Sequence, residues 1–372
     1  MELFQLFNQN IKDMNLRAPV IYSILVVVFF SFLLQSCKKD EEELEDFDKQ
    51  ALAANLSSNI IIPSVNEFYN NISDLQSVFT SFKNDNSQQN LELVRNSWKQ
   101  AYFTWQTVKI FDFGPIRNIG MKGAIATYPS DTSDIQNNIV AGSYSLSSAA
   151  NVDAIGLTAL DYLFYRAGAL DSLQNNLNCT NYVGDLISKM VSEANTINSE
   201  WASYESTFNS STGTSSTSSF SLFINEYNRD FELAKTAKVA IPLGKQSLDV
   251  PLPEYIEARY SGISLELLFE SLKALRKVYN GNHFSGDTNG IGLDDYLLHL
   301  ERSTLDNTID SNFDEMLNKV QTFNNTFEGE INTNINGLNE LYLMLQGQVV
   351  NIKTDMTSAL GVLITYQDND GD

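Results

Sequence analysis

Cysteine and histidine are both scarce in this sequence of 372 residues, which contains two of each. Two cysteines cannot build a disulfide-rich scaffold, nor a cysteine-ligated zinc or iron–sulfur cluster. The histidines, His283 and His299, stand sixteen positions apart, so they cannot form the helical histidine pair that grips zinc. Metal or disulfide frameworks of these kinds are therefore excluded.

Positive charge is also in short supply, because 24 Lys and Arg residues face 46 Asp and Glu residues and leave a net charge of −22. Proteins that bind nucleic acid hold phosphates with clustered cations, so this composition argues against DNA or RNA as a partner. Hydrophobic residues make up 43% and aromatic residues 11% of the chain, which supports a packed core and excludes global disorder. The length is typical of two domains or one large one.

The N-terminal segment has the features of a bacterial lipoprotein signal. Residues 20–34 contain no charge, which is long enough for the apolar core of a signal peptide but short for a membrane span. The run leads into Leu34-Gln35-Ser36-Cys37, which resembles the lipobox that precedes a lipidated cysteine. We therefore expect residues 1–36 to be a signal peptide and Cys37 to carry a lipid that anchors the chain to the membrane. An ordinary anchor helix with an incidental cysteine is the alternative.

The charges on either side of residues 20–34 also bear on the prediction of a lipoprotein signal. Residues 1–19 sum to zero charge, whereas signal peptides begin with a positive segment, so Met14 is an alternative start. Residues 37–47 are densely acidic, and like charges at this density predict a solvated tether. A lysine followed by acids just after Cys37 also resembles the surface-export tag of Bacteroidetes lipoproteins. The expected location is the outer membrane, as a surface-exposed or periplasmic lipoprotein.

Beyond the tether, apolar residues recur at steps of three or four, which predicts a series of amphipathic helices. One of these should begin after an N-cap at Ser87 and end near Pro115, because proline cannot continue a helix. Residues 209–219 carry no charge and no large apolar side chain, so we place the boundary between two halves there. Four helices in each half predict an all-α fold of two four-helix-bundle-like halves, residues 48–208 and 220–366.

Established catalytic signatures are missing from the chain. The pair Gly244-Lys245 lacks the upstream glycine and the preceding strand of a phosphate-binding loop. No serine stands between two glycines at the spacing of a nucleophile elbow.

Six segments nevertheless follow one another in a specific order: 98–115, 128–135, 156–164, 241–244, 257–264 and 292–297. The first resembles a tryptophan helix ending in Phe-Gly-Pro, and the second resembles a Trp-Pro segment. The third, Gly156 to Phe164, resembles the motif Gly-x-His-x-x-Glu-Tyr-Leu-Leu. Together they resemble the imelysin-like family, in the form common among Bacteroidetes lipoproteins. The resemblance implies a duplicated all-α fold and a periplasmic or surface location. Some members of the family are linked to iron uptake and others are described as peptidases.

This chain departs from the family motif at its two chemically active positions. Histidine and glutamate three residues apart lie on one helical face and can share a metal or a proton. Here Thr158 replaces the histidine and Asp161 replaces the glutamate. A threonine hydroxyl is neither a useful base near neutral pH nor a strong metal ligand, so catalysis is disfavoured. Lys109 also stands where relatives often carry an acid.

The sequence therefore predicts a non-catalytic, ligand-binding envelope lipoprotein, with no residue assigned to catalysis. Motif position implies Thr158, Asp161, Glu257 and Ser264 as ligand-binding residues, with Asp161 as the metal ligand. The expected ligand is iron, an iron chelate or a peptide, and iron or another divalent metal is the expected cofactor. A metallopeptidase of the imelysin type and a purely structural envelope protein remain open alternatives.

Each acid or hydroxyl among these residues also has an interpretation that needs no ligand. Asp161 can be a helix-surface carboxylate bonded to a neighbour. Glu257 can lie in the first turn of a helix, where an acid is favourable, and Ser264 can cap the helix beginning near Leu265.

Overall fold

The chain folds as helices, which are connected by loops that include a long segment over residues 241–263. A computed structural model describes residues 46–286 and 288–366. The predicted signal peptide, Cys37 and all but the end of the predicted acidic tether therefore lie outside the described residues. No β-strand occurs in the part that the structure describes, so the prediction of an all-α fold is confirmed. None of its helices is both long enough and apolar enough to cross a membrane.

The first half is built on long helices joined by short ones. Helix α1 comprises Lys49–Asn55, a π-helical turn Leu56–Ile61 and Ile62–Asn84, and α2 comprises Gln88–Val108 followed by a 3-10 turn Lys109–Phe111. The next helices are α3 (Pro115–Asn118), α4 (Met121–Ala126), α5 (Thr132–Ala141), α6 (Gly156–Tyr165), α7 (Ala169–Asn175) and α8 (Leu177–Ser210). Helix α1 packs against α2 and α8, and α6 packs against α2 and α8. These four helices form the first bundle.

The second half repeats the pattern with a different set of helices. They are α9 (Ser219–Lys235, continued by a π-helical turn Thr236–Ala240), α10 (Ser264–Tyr279), α11 (Leu293–His299), α12 (Ser303–Gln321), α13 (Phe327–Thr333) and α14 (Ile335–Val349, a π-helical turn Val350–Met356, and Thr357–Leu360). Helix α10 packs on α9 and α12, and α14 packs on α12 and α9.

Two helix ends lie where capping residues and proline in the sequence predict them. The Ser87 side chain accepts a hydrogen bond from the backbone N–H of Asn90, which caps α2 as predicted. Pro115 occupies the first turn of α3, where its missing N–H costs nothing.

The two halves meet along an extensive interface. Helix α2 packs against α10, and the rings of Phe111 and Phe223 stack with their centroids 6.3 Å apart. The link between α8 and α9 is short, because α8 continues to Ser210 and α9 begins at Ser219. The assignment of 48–208 and 220–366 as separate domains stays a prediction.

Candidate functional site between the two halves

The Gly156 motif lies at the start of α6, and close packing fixes its position. Gly156 has a φ of +79°, and a Cβ there would lie 2.3 Å from the carbonyl oxygen of Ile125 at the end of α4. Only glycine combines this backbone conformation with so close an approach. The next carbonyl, that of Leu157, accepts a 2.9 Å hydrogen bond from the buried indole N–H of Trp98 on α2. The first turn of α6 is therefore held by α4 and α2 together.

Thr158, which replaces the histidine of the motif, is buried and already has a hydrogen-bond partner. Its Oγ1 donates a 2.7 Å hydrogen bond to the carbonyl oxygen of Thr127. Its side chain also lines a cavity, described below, that opens beside α6. With its proton committed to a carbonyl, this hydroxyl has no base beside it to make it a nucleophile.

Asp161 lies one turn further along α6 and joins the two halves of the chain. Its carboxylate accepts 2.9 Å hydrogen bonds from the backbone N–H groups of Tyr260 and Ser261. Burial raises the pKa of Asp161 to about 6, although these hydrogen bonds favour the charged form and oppose the rise. The interpretation of Asp161 as a helix-surface carboxylate is wrong, since its residue is only 2% exposed and its partners lie in the other half.

A cavity of about 380 Å³ opens between α6 and the segment that carries these partners. Thr158 and Asp161 both contribute to its wall, so the motif positions do face a common space. Carboxylates predominate among its charged lining residues, which are Asp131, Asp153, Asp161, Glu254 and Arg259. Arg259 is engaged by Glu328 through two hydrogen bonds of 3.0 and 3.1 Å. The cavity therefore has an acidic wall.

Glu257 lies on the far side of this segment and lines a second, smaller cavity of about 240 Å³. One of its oxygens accepts a 3.0 Å hydrogen bond from the Tyr102 hydroxyl, and the other pairs with the Lys238 ammonium. Burial lowers the pKa of Lys238, although its pairing with Glu257 opposes the fall. Glu257 precedes no helix directly, so its interpretation as a first-turn acid is wrong.

Ser264 does not join the other sequence-predicted residues. It is the first residue of α10 and is buried, and it lines neither of the two cavities. The N-cap position belongs to Ile263, and no side-chain hydrogen bond caps this helix. Its interpretation as the N-cap of α10 is therefore wrong as well.

The second cavity also holds charged residues that the sequence did not single out as a group. Asp230 on α9 accepts a 2.6 Å hydrogen bond from Lys109, and its other oxygen lies 3.6 Å from the Nζ of Lys122. Burial would raise the pKa of Asp230, but the ammonium groups of Lys109 and Lys122 hold it below its usual range. The sequence carried one signal that Asp230 is buried. Asp230 follows Tyr227 by three positions, which places a charged residue on the apolar stripe of α9.

The residues of this chain do not offer a donor set for a metal ion at the motif. Thr158 gives its proton to a carbonyl, and both oxygens of Asp161 accept backbone N–H groups. Within residues 46–286 and 288–366, no three side chains of His, Cys, Asp or Glu converge on one point. Metal binding by Asp161 stays a prediction, which metal analysis can test.

Comparisons with known proteins agree with the fold and identify a family. The family model described as Imelysin matches residues 61–344. An iron-regulated protein A precursor from Parabacteroides distasonis is 16% identical and superposes with a TM-score of 0.71, covering 83% of this chain and 95% of its own. An imelysin-like protein from Psychrobacter arcticum is also 16% identical, with a TM-score of 0.70 and coverage of 86% and 97%.

At these identities the two structures establish a shared fold and nothing finer. A search of the curated proteins finds no match. The family model, by contrast, spans more than half of the sequence and includes the Gly156 motif, the segment around Asp161's partners and most of both bundles. The chain belongs to the imelysin family.

Proposed function

We propose that this chain is a non-catalytic ligand-binding protein of the cell envelope, anchored through a lipid on Cys37. Its ligand site is the 380 Å³ cavity beside α6. One observation carries the proposal: the motif residues border an accessible cavity while their reactive atoms are already committed to backbone partners.

The reactive atoms of Thr158 and Asp161 are already hydrogen-bonded to the backbone, which supports ligand binding rather than hydrolysis. A peptidase of the metal-dependent kind needs an open coordination position and a group that activates water. Thr158 cannot supply a metal-binding nitrogen, and Asp161 instead holds the backbone at Tyr260 and Ser261. The cavity with its acidic wall is therefore suited to binding a ligand.

The charges of that wall indicate the class of ligand. Asp153 and Glu254 add negative charge to the cavity, whereas Arg259 is engaged by Glu328. The rings of Tyr255 and Tyr260 also line it, and aromatic faces attract cations. A basic peptide fits these features best, because its ammonium groups would meet carboxylates and ring faces.

Calorimetric titration of the purified chain with trilysine tests the proposal, with fully acetylated trilysine as the probe that lacks ammonium groups. We expect trilysine to bind, and a double variant Asp153→Asn, Glu254→Gln to bind it at least about tenfold more weakly. Asp74→Asn is the matched control, since Asp74 is exposed on α1 and lines neither cavity. Equal binding of both peptides, or an unchanged affinity in the double variant, would overturn the proposal.

The same preparation separates the alternatives. Mass spectrometry should find the peptides intact after incubation, with or without added zinc. Cleavage that needs metal and is lost in Asp161→Ala would restore the metallopeptidase. Stoichiometric iron in the purified protein, with expression that rises under iron starvation, would favour a role in iron uptake; the Parabacteroides distasonis protein is named as iron-regulated. Absence of peptide and iron binding would favour a purely structural role.

A further inference from the structure

The smaller cavity contains one more ammonium group than carboxylate groups. Its charged lining residues are Lys109, Lys122, Lys238, Asp230 and Glu257. Lys109 pairs with Asp230 and Lys238 pairs with Glu257, so two of the three cations are directly compensated. Lys122 is left with the longer contact, 3.6 Å to the second oxygen of Asp230.

Two polar atoms at this point have unused hydrogen-bonding capacity. Among the described residues, neither the Nζ of Lys122 nor the Oδ1 of Asp230 has a hydrogen-bond partner, although both atoms are buried. These two atoms face each other at 3.6 Å, which is an ion-pair contact but too long for a hydrogen bond. Buried polar atoms are normally hydrogen-bonded, so this donor and acceptor mark a place that a ligand can complete. Burial lowers the pKa of Lys122, which is the response expected of an ammonium group that lacks full compensation.

The neighbouring acids Asp112 and Glu226 favour the charged form of Lys122, but both also face arginines of an outer group. Glu226 pairs with Arg117, and Arg229 lies 3.6 Å from Glu226 and 3.8 Å from Asp112. This outer group contributes two cations and two carboxylates, so the excess of one positive charge at the cavity persists.

Most of the remaining cavity wall is apolar, and Thr127 and Tyr128 also line it. Its apolar lining residues are Trp105, Ala126, Leu233 and Ala237. The Lys122 side chain is 24% exposed although its Nζ is buried, so solvent reaches the cavity beside the aliphatic stem of Lys122. The site therefore offers a cation, a neighbouring acceptor and a hydrophobic space of limited size.

We infer that this second cavity binds a small monoanionic 2-hydroxy carboxylate with an apolar body. The carboxylate accepts hydrogen bonds from Lys122 and balances the excess charge. The adjacent hydroxyl donates to Oδ1 of Asp230, which also prevents direct contact between two carboxylates. The apolar body lies against Trp105 and Leu233. This site is distinct from the acidic cavity of the proposed function, and Tyr128 forms part of the wall of both.

Calorimetric titration with 2-hydroxyisovalerate tests the inference, and 2-hydroxyisovaleramide serves as a probe of the same shape without charge. We expect the carboxylate to bind the purified chain and the amide to bind at least about tenfold more weakly. Lys122→Gln should weaken binding of the carboxylate by at least about tenfold. Lys245→Gln is the matched control, because the Lys245 side chain is also 24% exposed and paired with an aspartate, yet lines neither cavity.

Circular dichroism and the melting temperature verify that both variants are folded. The comparison of the two probes on the wild-type chain stands even if Lys122→Gln does not fold. No binding of the carboxylate at millimolar concentration, equal binding of the amide, or unchanged binding in a folded Lys122→Gln variant would each refute the inference. None of these results depends on trilysine binding in the acidic cavity, so the two proposals fail separately.

Discussion

The Asp161 carboxylate accepts a 2.9 Å hydrogen bond from the backbone N–H of Ser261, one hundred residues later in the chain. A second bond of equal length, from Tyr260, makes the contact bidentate. A residue of the first bundle thus fixes the backbone of the loop that precedes the second helix of the other bundle. Asp161 thereby shapes the wall of the acidic cavity as well as contributing to it.

The first prediction concerns this contact. Asp161→Ala removes the acceptor of two backbone N–H groups, and we expect the free energy of unfolding at neutral pH to fall by roughly 1–3 kcal/mol. Trilysine affinity should also fall. Denaturant titration measures the first effect, and native-state hydrogen exchange at Tyr260 and Ser261 locates it.

The exposed Asp74→Ala is the control for loss of a carboxylate, since it should leave both amides protected. Unchanged exchange at Tyr260 and Ser261 in Asp161→Ala would show that the contact does not hold this segment.

Sequence patterns predicted the long helices because each has an apolar stripe of several turns, and some of them also have recognisable ends. For α2, the cap at Ser87 and the break before Pro115 both agree with the structure. Short helices such as α3 and α7 were not predicted, because four to seven residues are too few to display a helical period.

The candidate site was only partly predictable for a different reason. The three-residue spacing within the motif placed Thr158 and Asp161 on one helical face, and both line the same cavity. The partners of Asp161 are backbone N–H groups, which carry no sequence signal. Lys238 reaches Glu257 from the π-helical turn Thr236–Ala240, and a change of helical period cannot be read from side-chain types.

A second prediction addresses the buried pair of Lys238 and Glu257. Lys238→Met leaves an unpaired buried carboxylate, so we expect a loss of about 3–5 kcal/mol in the free energy of unfolding. The double variant Lys238→Met, Glu257→Gln removes the orphaned charge and keeps an acceptor for the Tyr102 hydroxyl. It should be more stable than Lys238→Met alone. Strictly additive losses, measured by denaturant titration in a double-mutant cycle, would contradict the coupling.

A third prediction concerns the glycine of the motif. Gly156→Ala places a Cβ 2.3 Å from the Ile125 carbonyl oxygen and forces a shift between α6 and α4. Gly168→Ala is the matched control, because Gly168 also has a positive φ, of +73°, but has no atom within 4 Å of its Cβ position.

Gly168→Ala measures only the cost of placing alanine in the left-handed conformation, which is about 1–2 kcal/mol. Gly156→Ala should lower the melting temperature well beyond that of Gly168→Ala and should weaken trilysine binding. Equal melting temperatures would show that the close approach to α4 is not needed.

A fourth prediction tests the anchor, whose cysteine lies outside the described residues. If Cys37 carries a lipid, Cys37→Ala should move the protein from the membrane fraction to the soluble fraction, since each buried CH₂ of an acyl chain contributes about 0.8 kcal/mol. Cys179→Ala should leave the fractionation unchanged, because Cys179 is buried in the first bundle. Immunoblotting of the fractions measures both, and retention of Cys37→Ala in the membrane would disprove lipid anchoring through this residue.

The last prediction follows from the pKa of Asp161, which burial raises to about 6, above its unfolded value of about 3.9. Between these two values the folded state binds more protons than the unfolded state, so this carboxyl contributes stability at low pH that is lost as pH rises through about 6. Raising the pH from 4.5 to 7 should therefore lower the free energy of unfolding of the wild type by about 2 kcal/mol through this carboxyl. Asp161→Ala lacks the carboxyl and should not show this loss. Denaturant titrations of both proteins at the two pH values give this difference directly, and the subtraction cancels the other titrating groups that they share. If the wild type and Asp161→Ala responded identically to pH, the carboxyl would have an ordinary pKa, and its hydrogen bonds to Tyr260 and Ser261 would offset the whole cost of its burial.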